Sequence, residues 1–264
     1  MAPLTVGIAV DIREKQYPGV ARGRPVTALH KLRARIGPSE FCVITGPSGC
    51  GKTTLLNIIA GLDRDFVGTL SFEPANRPPR VGYVFQNPRL LPWRTVRENI
   101  ALALDRDCDQ AAVDDLLDEI GLANAADVYP ARLSGGMARR AALARAFAIA
   151  PDLLLMDEPF LSLDAAAAQR LRSLLLRLVS TRPVTVLFVT HDLNEAVELA
   201  DRVLVLSPAP GRVVAEMAIA LPREQRCYPE MMGELRAELT RLARHPIEPS
   251  AKFPEIQRKS RFCG

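Results

Sequence analysis

No apolar run in the 264-residue sequence approaches the ~18 residues that a membrane-crossing helix needs. The opening residues lack the basic-then-apolar order of a signal peptide, because Pro3, Asp11 and Arg13 interrupt it. Cysteine is sparse. Cys42, Cys50, Cys108, Cys227 and Cys263 are scattered without C-x-x-C spacing, which argues against both a disulfide framework and a zinc site. A strong charge imbalance is also missing: 34 Lys and Arg against 30 Asp and Glu leave +4, too little to argue for a nucleic-acid partner. There is no internal repeat. These absences point to a reduced, cytoplasmic chain. Its 48% hydrophobic and 24% charged residues are ordinary for a globular protein of one large domain or two small ones.

Against that plain background one stretch stands out, Gly46-Pro47-Ser48-Gly49-Cys50-Gly51-Lys52-Thr53-Thr54. The apolar run ending Phe41-Cys42-Val43-Ile44-Thr45 reads as a buried parallel strand, and Leu55 to Gly61 as a helix closed by glycine. Strand, glycine-rich turn and helix N-terminus form a phosphate-binding loop, with G-x-x-x-x-G-K-[ST] spacing met at Gly46, Gly51, Lys52 and Thr53. Glycines let backbone N–H groups curl toward an anion, and the helix start adds open donors. Lys52 supplies a point charge for the β- and γ-phosphates, and the Thr53 hydroxyl suits Mg²⁺. Cys50 inside this turn is either an inert small residue or, beside helix N-terminal donors, a reactive thiolate. Cys42 reads as a core residue of the strand.

Alternation and branched residues predict strands at Val6–Ile12, Val26–Ile36, Phe66–Glu73 and Val81–Gln86. From Thr95 to about Ala150 the pattern turns helical. Thr95-Val-Arg-Glu98 is a capping-box start, Asp109–Ile120 is amphipathic, and the Ala- and Arg-rich Met137–Ala150 ends at Pro151. Alternation resumes with strand Leu153–Met156, a helix after Asp164, strand Val184–Thr190, a helix at Leu193–Ala200, strands near Val203–Leu206 and Arg212–Ala220, and a helix over Glu230–Ala243. The expected fold is α/β: a mixed, mainly parallel core sheet, an antiparallel β subdomain and a helical subdomain over approximately 95–150. One domain spans 1–244, with a loose tail at 245–264.

Leu153-Leu-Leu-Met-Asp157-Glu158-Pro159 ends an apolar strand in two acids, at the end where α/β folds place ligand chemistry. Asp157 suits Mg²⁺ held through water, and Glu158 the polarising of an attacking water; taken alone, both could be solvated strand-end acids. Leu133-Ser134-Gly135-Gly136-Met137 makes a second anion-receiving helix N-terminus without any lysine, or an ordinary N-cap.

In this order the motifs resemble the ATP-binding-cassette ATPases, whose signature is usually Leu-Ser-Gly-Gly-Gln; Met137 stands here in place of the glutamine. The resemblance covers nearly the whole chain and implies further roles. Tyr17 would stack on adenine, although one loop tyrosine is equally a packing residue. Gln86 would reach Mg²⁺ and the attacking water. Asp164, in Leu161-Ser162-Leu163-Asp164, would belong to the D-loop and could equally cap a helix. His191 would touch the γ-phosphate. The family works as a head-to-tail dimer, so ATP and Mg²⁺ held by Lys52, Thr53, Gln86, Asp157, Glu158 and His191 of one copy would be covered by Ser134, Gly135 and Gly136 of a second.

Between Gln86 and the helical insert, Asn87-Pro-Arg-Leu-Leu-Pro-Trp93-Arg94 contains the only tryptophan. In transporter members this region receives the membrane permease; the alternative is that Trp93 packs the insert onto the core. The Leu-Leu-Pro-Trp-Arg-Thr-Val run looks most like ATPases of bacterial importers for nitrate, sulfonate and taurine-type solutes. That implies integral permease subunits, indirectly a solute-binding protein, and a peripheral place on the cytoplasmic face of the inner membrane. An exporter or lipoprotein-release ATPase shares the same motifs. A DNA-repair or translation cassette would carry a coiled-coil insertion or a second cassette, and a small-molecule kinase would leave Ser134 and His191 without a task.

Overall fold

Period-two patterning builds the first sheet. Strands β1 (Gly7–Tyr17) and β2 (Val26–Ile36) bury Ile8, Val10 and Ile12 with Leu32, Ala34 and Ile36, as expected of an antiparallel sheet covered on one face. The structure is a computed structural model and describes residues 5–19, 23–74, 77–104, 110–226 and 229–244. The expected tail at 245–264 lies outside them. β1 runs five residues beyond the Ile12 end that alternation predicts, because Glu14 to Tyr17 still pair with β2. Their polarity hides the strand in sequence. β4 (Val67–Glu73) completes this three-stranded antiparallel sheet on the other side of β1.

The second sheet has six strands in the order β5 (Val81–Val84), β6 (Leu153–Asp157), β7 (Thr185–Val189), β3 (Phe41–Thr45), β8 (Arg202–Leu206) and β9 (Val213–Ala218). All neighbours pair in parallel except β8 with β9. β3, β6 and β7 are buried at every position, which explains their unbroken apolar runs: both faces are covered. Because β5, β6, β7 and β3 run the same way, the segments that follow them emerge along one edge. Gln86, Asp157 with Glu158, His191 and the Gly46–Thr54 loop are therefore neighbours by topology.

Two cores flank this sheet. On one face α1 (Lys52–Ile59) packs with β1 and β2 around Ile12, Leu32, Leu55 and Ile58. The other face is covered by α2 (Val96–Ala101), α3 (Gln110–Glu119), α4 (Gly135–Ala148), α5 (Ala165–Thr181), α6 (Leu193–Leu199) and α7 (Pro229–Arg244). Among the described residues the helical insert has no separate core. Ile100, Leu117 and Leu143 lie in the same apolar cluster as Val84, Leu154 and Phe188 of the sheet. Gly82 makes this close approach possible, since a Cβ there would lie 2.6 Å from the Ala146 carbonyl oxygen of α4. Beneath the insert, the fully buried Asp152 binds the Arg77 guanidinium at 2.7 and 2.8 Å and the Arg80 backbone N–H at 2.8 Å. Burial alone would raise its pKa; these bonds outweigh that and hold it at about 2.

Candidate nucleotide site

The phosphate loop turns from β3 into α1 through Gly51, whose φ of 97° is in the left-handed region. A side chain there would also meet Leu29 Cδ2 at 2.5 Å, so both conformation and space call for glycine. α1 starts without a side-chain cap, which leaves its first N–H donors for an anion. Lys52 is 6% exposed, and its Nζ donates to the Gly46 and Pro47 carbonyls, both at 2.9 Å. Thr54 Oγ1 lies 3.3 Å from the Tyr17 hydroxyl, which also donates to Asp63 at 3.0 Å. The buried Lys15 sits over the Tyr17 ring, 4.5 Å from its centroid, and bonds Asp63 at 2.9 Å. The tyrosine at the end of β1 is thus tied to the phosphate-loop helix with one ring face occupied. Sequence reasoning missed Lys15 and Asp63, which belong to no motif.

Thr53 Oγ1 donates to Asp157 Oδ2 at 2.9 Å. Burial pushes the Asp157 carboxyl up, more than the Thr53 bond lowers it, and Glu158 next to it adds to the rise. An acid so placed gains from a cation. Among the described residues no group of three or more His, Cys, Asp or Glu forms a cage. Mg²⁺ does not need one: it keeps waters and takes phosphate oxygens beside one or two protein oxygens, and Thr53 with Asp157 fit that requirement. Glu158 follows β6 with φ 44°, donates its N–H to the Val189 carbonyl at 2.9 Å, and holds Oε2 3.2 Å from His191 Nδ1. Two loops that are 33 residues apart in sequence thus meet as one acid–imidazole pair. Beside it opens a cavity of about 480 Å³, lined in part by Glu158, Ser162, Thr190 and His191.

Gln86 is exposed beyond the end of β5, not its last residue, and its carbonyl accepts from Arg139. Ser134 caps α4 by accepting from the Met137 N–H at 3.3 Å, while Met137 packs against the core. Gly135 and Gly136 open that helix. Asp164 caps α5, accepting from the Ala167 N–H at 2.7 Å. Trp93 is 69% exposed, which overturns the alternative that it packs the insert onto the core. Cys50 also differs from the reactive-thiolate expectation. It is fully buried, and that burial raises its pKa despite the Lys52 charge nearby. It is a packing residue of the turn. Cys42 is buried in β3 as expected.

The sequence profile of the ABC transporter family matches residues 29–161. The chain belongs to the ABC transporter ATPases. Over 206 residues it is 48% identical to the aliphatic sulfonates import ATP-binding protein SsuB 2 of Burkholderia cenocepacia strain HI2424, covering 76% of each chain. It is 43% identical over 214 residues to SsuB 2 of Pseudomonas syringae pv. tomato strain ATCC BAA-871 / DC3000, covering 80% of this chain and 90% of that protein. A Granulibacter bethesdensis SsuB is 47% identical over 214 residues, covering 81% and 87%. Among solved structures, the dimeric ATP-binding cassette MJ0796 in a post-hydrolysis state with ADP and Pi superposes with a TM-score of 0.70 at 28% identity, over 81% of this chain and all of that one. The cassette fold and ATP hydrolysis coupled to import follow from these likenesses.

Proposed function

We propose that this chain is the ATP-hydrolysing subunit of a bacterial importer for aliphatic sulfonates or a similar nitrate- or taurine-like solute, working on a separate permease. The observation that carries the reading is the convergence of Lys52, Thr53, Asp157, Glu158 and His191 along one sheet edge. On this reading Tyr17 stacks on adenine, and the Gly46–Thr54 backbone and Lys52 cradle the phosphates. Thr53, Asp157 and Gln86 would hold Mg²⁺, whose charge would offset that of the transferred phosphoryl group. Glu158 orients the attacking water, and His191 contacts the γ-phosphate. A second copy, head to tail, presents Ser134, Gly135, Gly136 and the Asp164 loop to the same nucleotide. The partner helix touches only bound triphosphate, which supplies the differential affinity that a switch requires. The permease docks at Gln86–Arg94, where Trp93 is exposed, and receives solute from a binding protein. The subunit works peripherally at the cytoplasmic face of the inner membrane. Residues 1–244 form the working domain.

Glu158→Gln, purified and sized in solution with and without MgATP, tests this. An ATP-dependent shift from monomer to dimer with hydrolysis slowed at least a hundredfold is expected. Hydrolysis at the parent rate would remove Glu158 from the water-orienting role.

A further inference from the structure

Arg139 lies one turn into α4, outside every motif used above. Its guanidinium donates to three backbone carbonyls on two other segments: Gln86 at 3.1 Å, Pro159 at 2.7 Å, and Leu161. Among the described residues no carboxylate pairs with it, and burial lowers its pKa from the ordinary arginine range. A cation partly withdrawn from water and held by carbonyl dipoles is costly to keep, and lysine could not reproduce the planar fork that reaches both segments. Those segments are the ones that set the chemistry. Pro159 and Leu161 lie directly after Glu158, a non-glycine residue at φ 44° that donates its N–H to Val189 at 2.9 Å and faces His191 at 3.2 Å. Such a conformation is strained and persists only where the surroundings over-determine it. The turn after Glu158 is held by Leu161 N–H donating to the Glu158 carbonyl at 3.1 Å, with Arg139 gripping it from outside. The same guanidinium fixes the backbone at Gln86. Arg145, six residues further along α4, repeats the device on nearby carbonyls, donating to Arg89 and Pro88, both at 2.8 Å.

We propose that Arg139 is a positioning residue for hydrolysis: it locks the turn that aims Glu158 and the loop that carries Gln86 to the helix opened by Ser134. Displacement of α4 is thereby transmitted to both loops at once. The inference rests on the proposed role of Glu158 and goes beyond it, because Arg139 belongs to none of the motifs above and acts through the Gln86, Pro159 and Leu161 carbonyls.

Arg139→Met and Arg139→Lys separate positioning from mere support of the fold. ATPase kcat and KM are measured for each, with the Kd for a non-hydrolysable MgATP analogue and the melting temperature. Positioning predicts that Met lowers kcat at least tenfold while the analogue Kd stays within twofold. Lys, which keeps the charge but has a single donor nitrogen, should recover part of the loss. A kcat within twofold of the parent overturns the proposal, as does a parallel loss of kcat, nucleotide affinity and melting temperature in both variants. Glu158→Gln assayed alongside keeps the two readings apart. Full activity in that variant removes the residue that Arg139 is said to aim, whereas an inactive Glu158→Gln beside an unimpaired Arg139→Met overturns the positioning role alone.

Discussion

Asp157 shows how one side chain serves two states. Its carboxylate is buried, accepts from Thr53 at 2.9 Å, and has a pKa raised by burial first and then by the neighbouring Glu158. An acid whose folded pKa exceeds its unfolded one binds more protons when folded, so it weakens the metal-free protein increasingly as pH rises through that interval. Asp157→Asn should therefore raise the melting temperature of the nucleotide-free protein at pH 7, by roughly 2–4 °C for each kcal/mol recovered. The same variant should lose Mg²⁺-dependent ATP hydrolysis. Calorimetry with and without MgATP checks both halves, and a lower melting temperature would contradict the first. The acids themselves were legible in sequence because they end an apolar strand. The left-handed Glu158 was not, since nothing in Asp-Glu-Pro-Phe announces a positive φ.

At the scale of elements, the loop between β5 and α2 is held by side chains rather than by a ladder of its own. Asn99, fully buried on α2, accepts from the Leu91 N–H at 2.7 Å and turns its amide toward the Leu91, Arg94 and Thr95 carbonyls. The capping box joins in: Thr95 and Glu98 exchange bonds at 2.8 and 3.2 Å. Asn99→Leu fills a similar volume but strands these loop groups, which costs about 1–3 kcal/mol. Faster amide hydrogen exchange over residues 88–95, with the sheet strands unchanged, is the expected signature; unchanged exchange in the loop would show that Asn99 does not hold it. The capping box could be read from Thr-Val-Arg-Glu alone. Asn99, Arg139 and Arg145 could not, because their partners are backbone carbonyls distant in sequence or in a loop without periodicity. A polar residue on the apolar side of a helical pattern, Asn99 above all, was the one signal present, and it says that a partner exists without saying where.

For the molecule as a whole, the insert and the sheet share one apolar cluster, and Asp152 is a charged anchor beside it. Its pKa, held at about 2 by Arg77 and Arg80 against the upward push of burial, lies below the usual carboxylate range. A lowered folded pKa contributes stability that is complete above about pH 4 and lost as pH falls through about 2. Asp152→Asn should lower stability at pH 7 by on the order of 3 kcal/mol and flatten the acid limb of a stability-versus-pH curve measured by urea unfolding. A parallel acid limb in both proteins would assign acid sensitivity elsewhere. The division into a sheet and a helical insert was readable from the change of hydrophobic period. Their common core was not, because periodicity reports which face of a helix is buried and not what buries it.

Trp93 gives the protein an optical property that follows from where it sits. A single indole, 69% exposed and outside both apolar clusters, makes the free subunit emit as a solvent-relaxed fluorophore. Thermal unfolding, which moves that ring from water to water, should leave its emission maximum almost unchanged, so the usual tryptophan assay is blind to this fold. A blue shift, by contrast, would mean that another surface has covered the loop. The one chromophore that fails as a reporter of folding is thus suited to reporting docking.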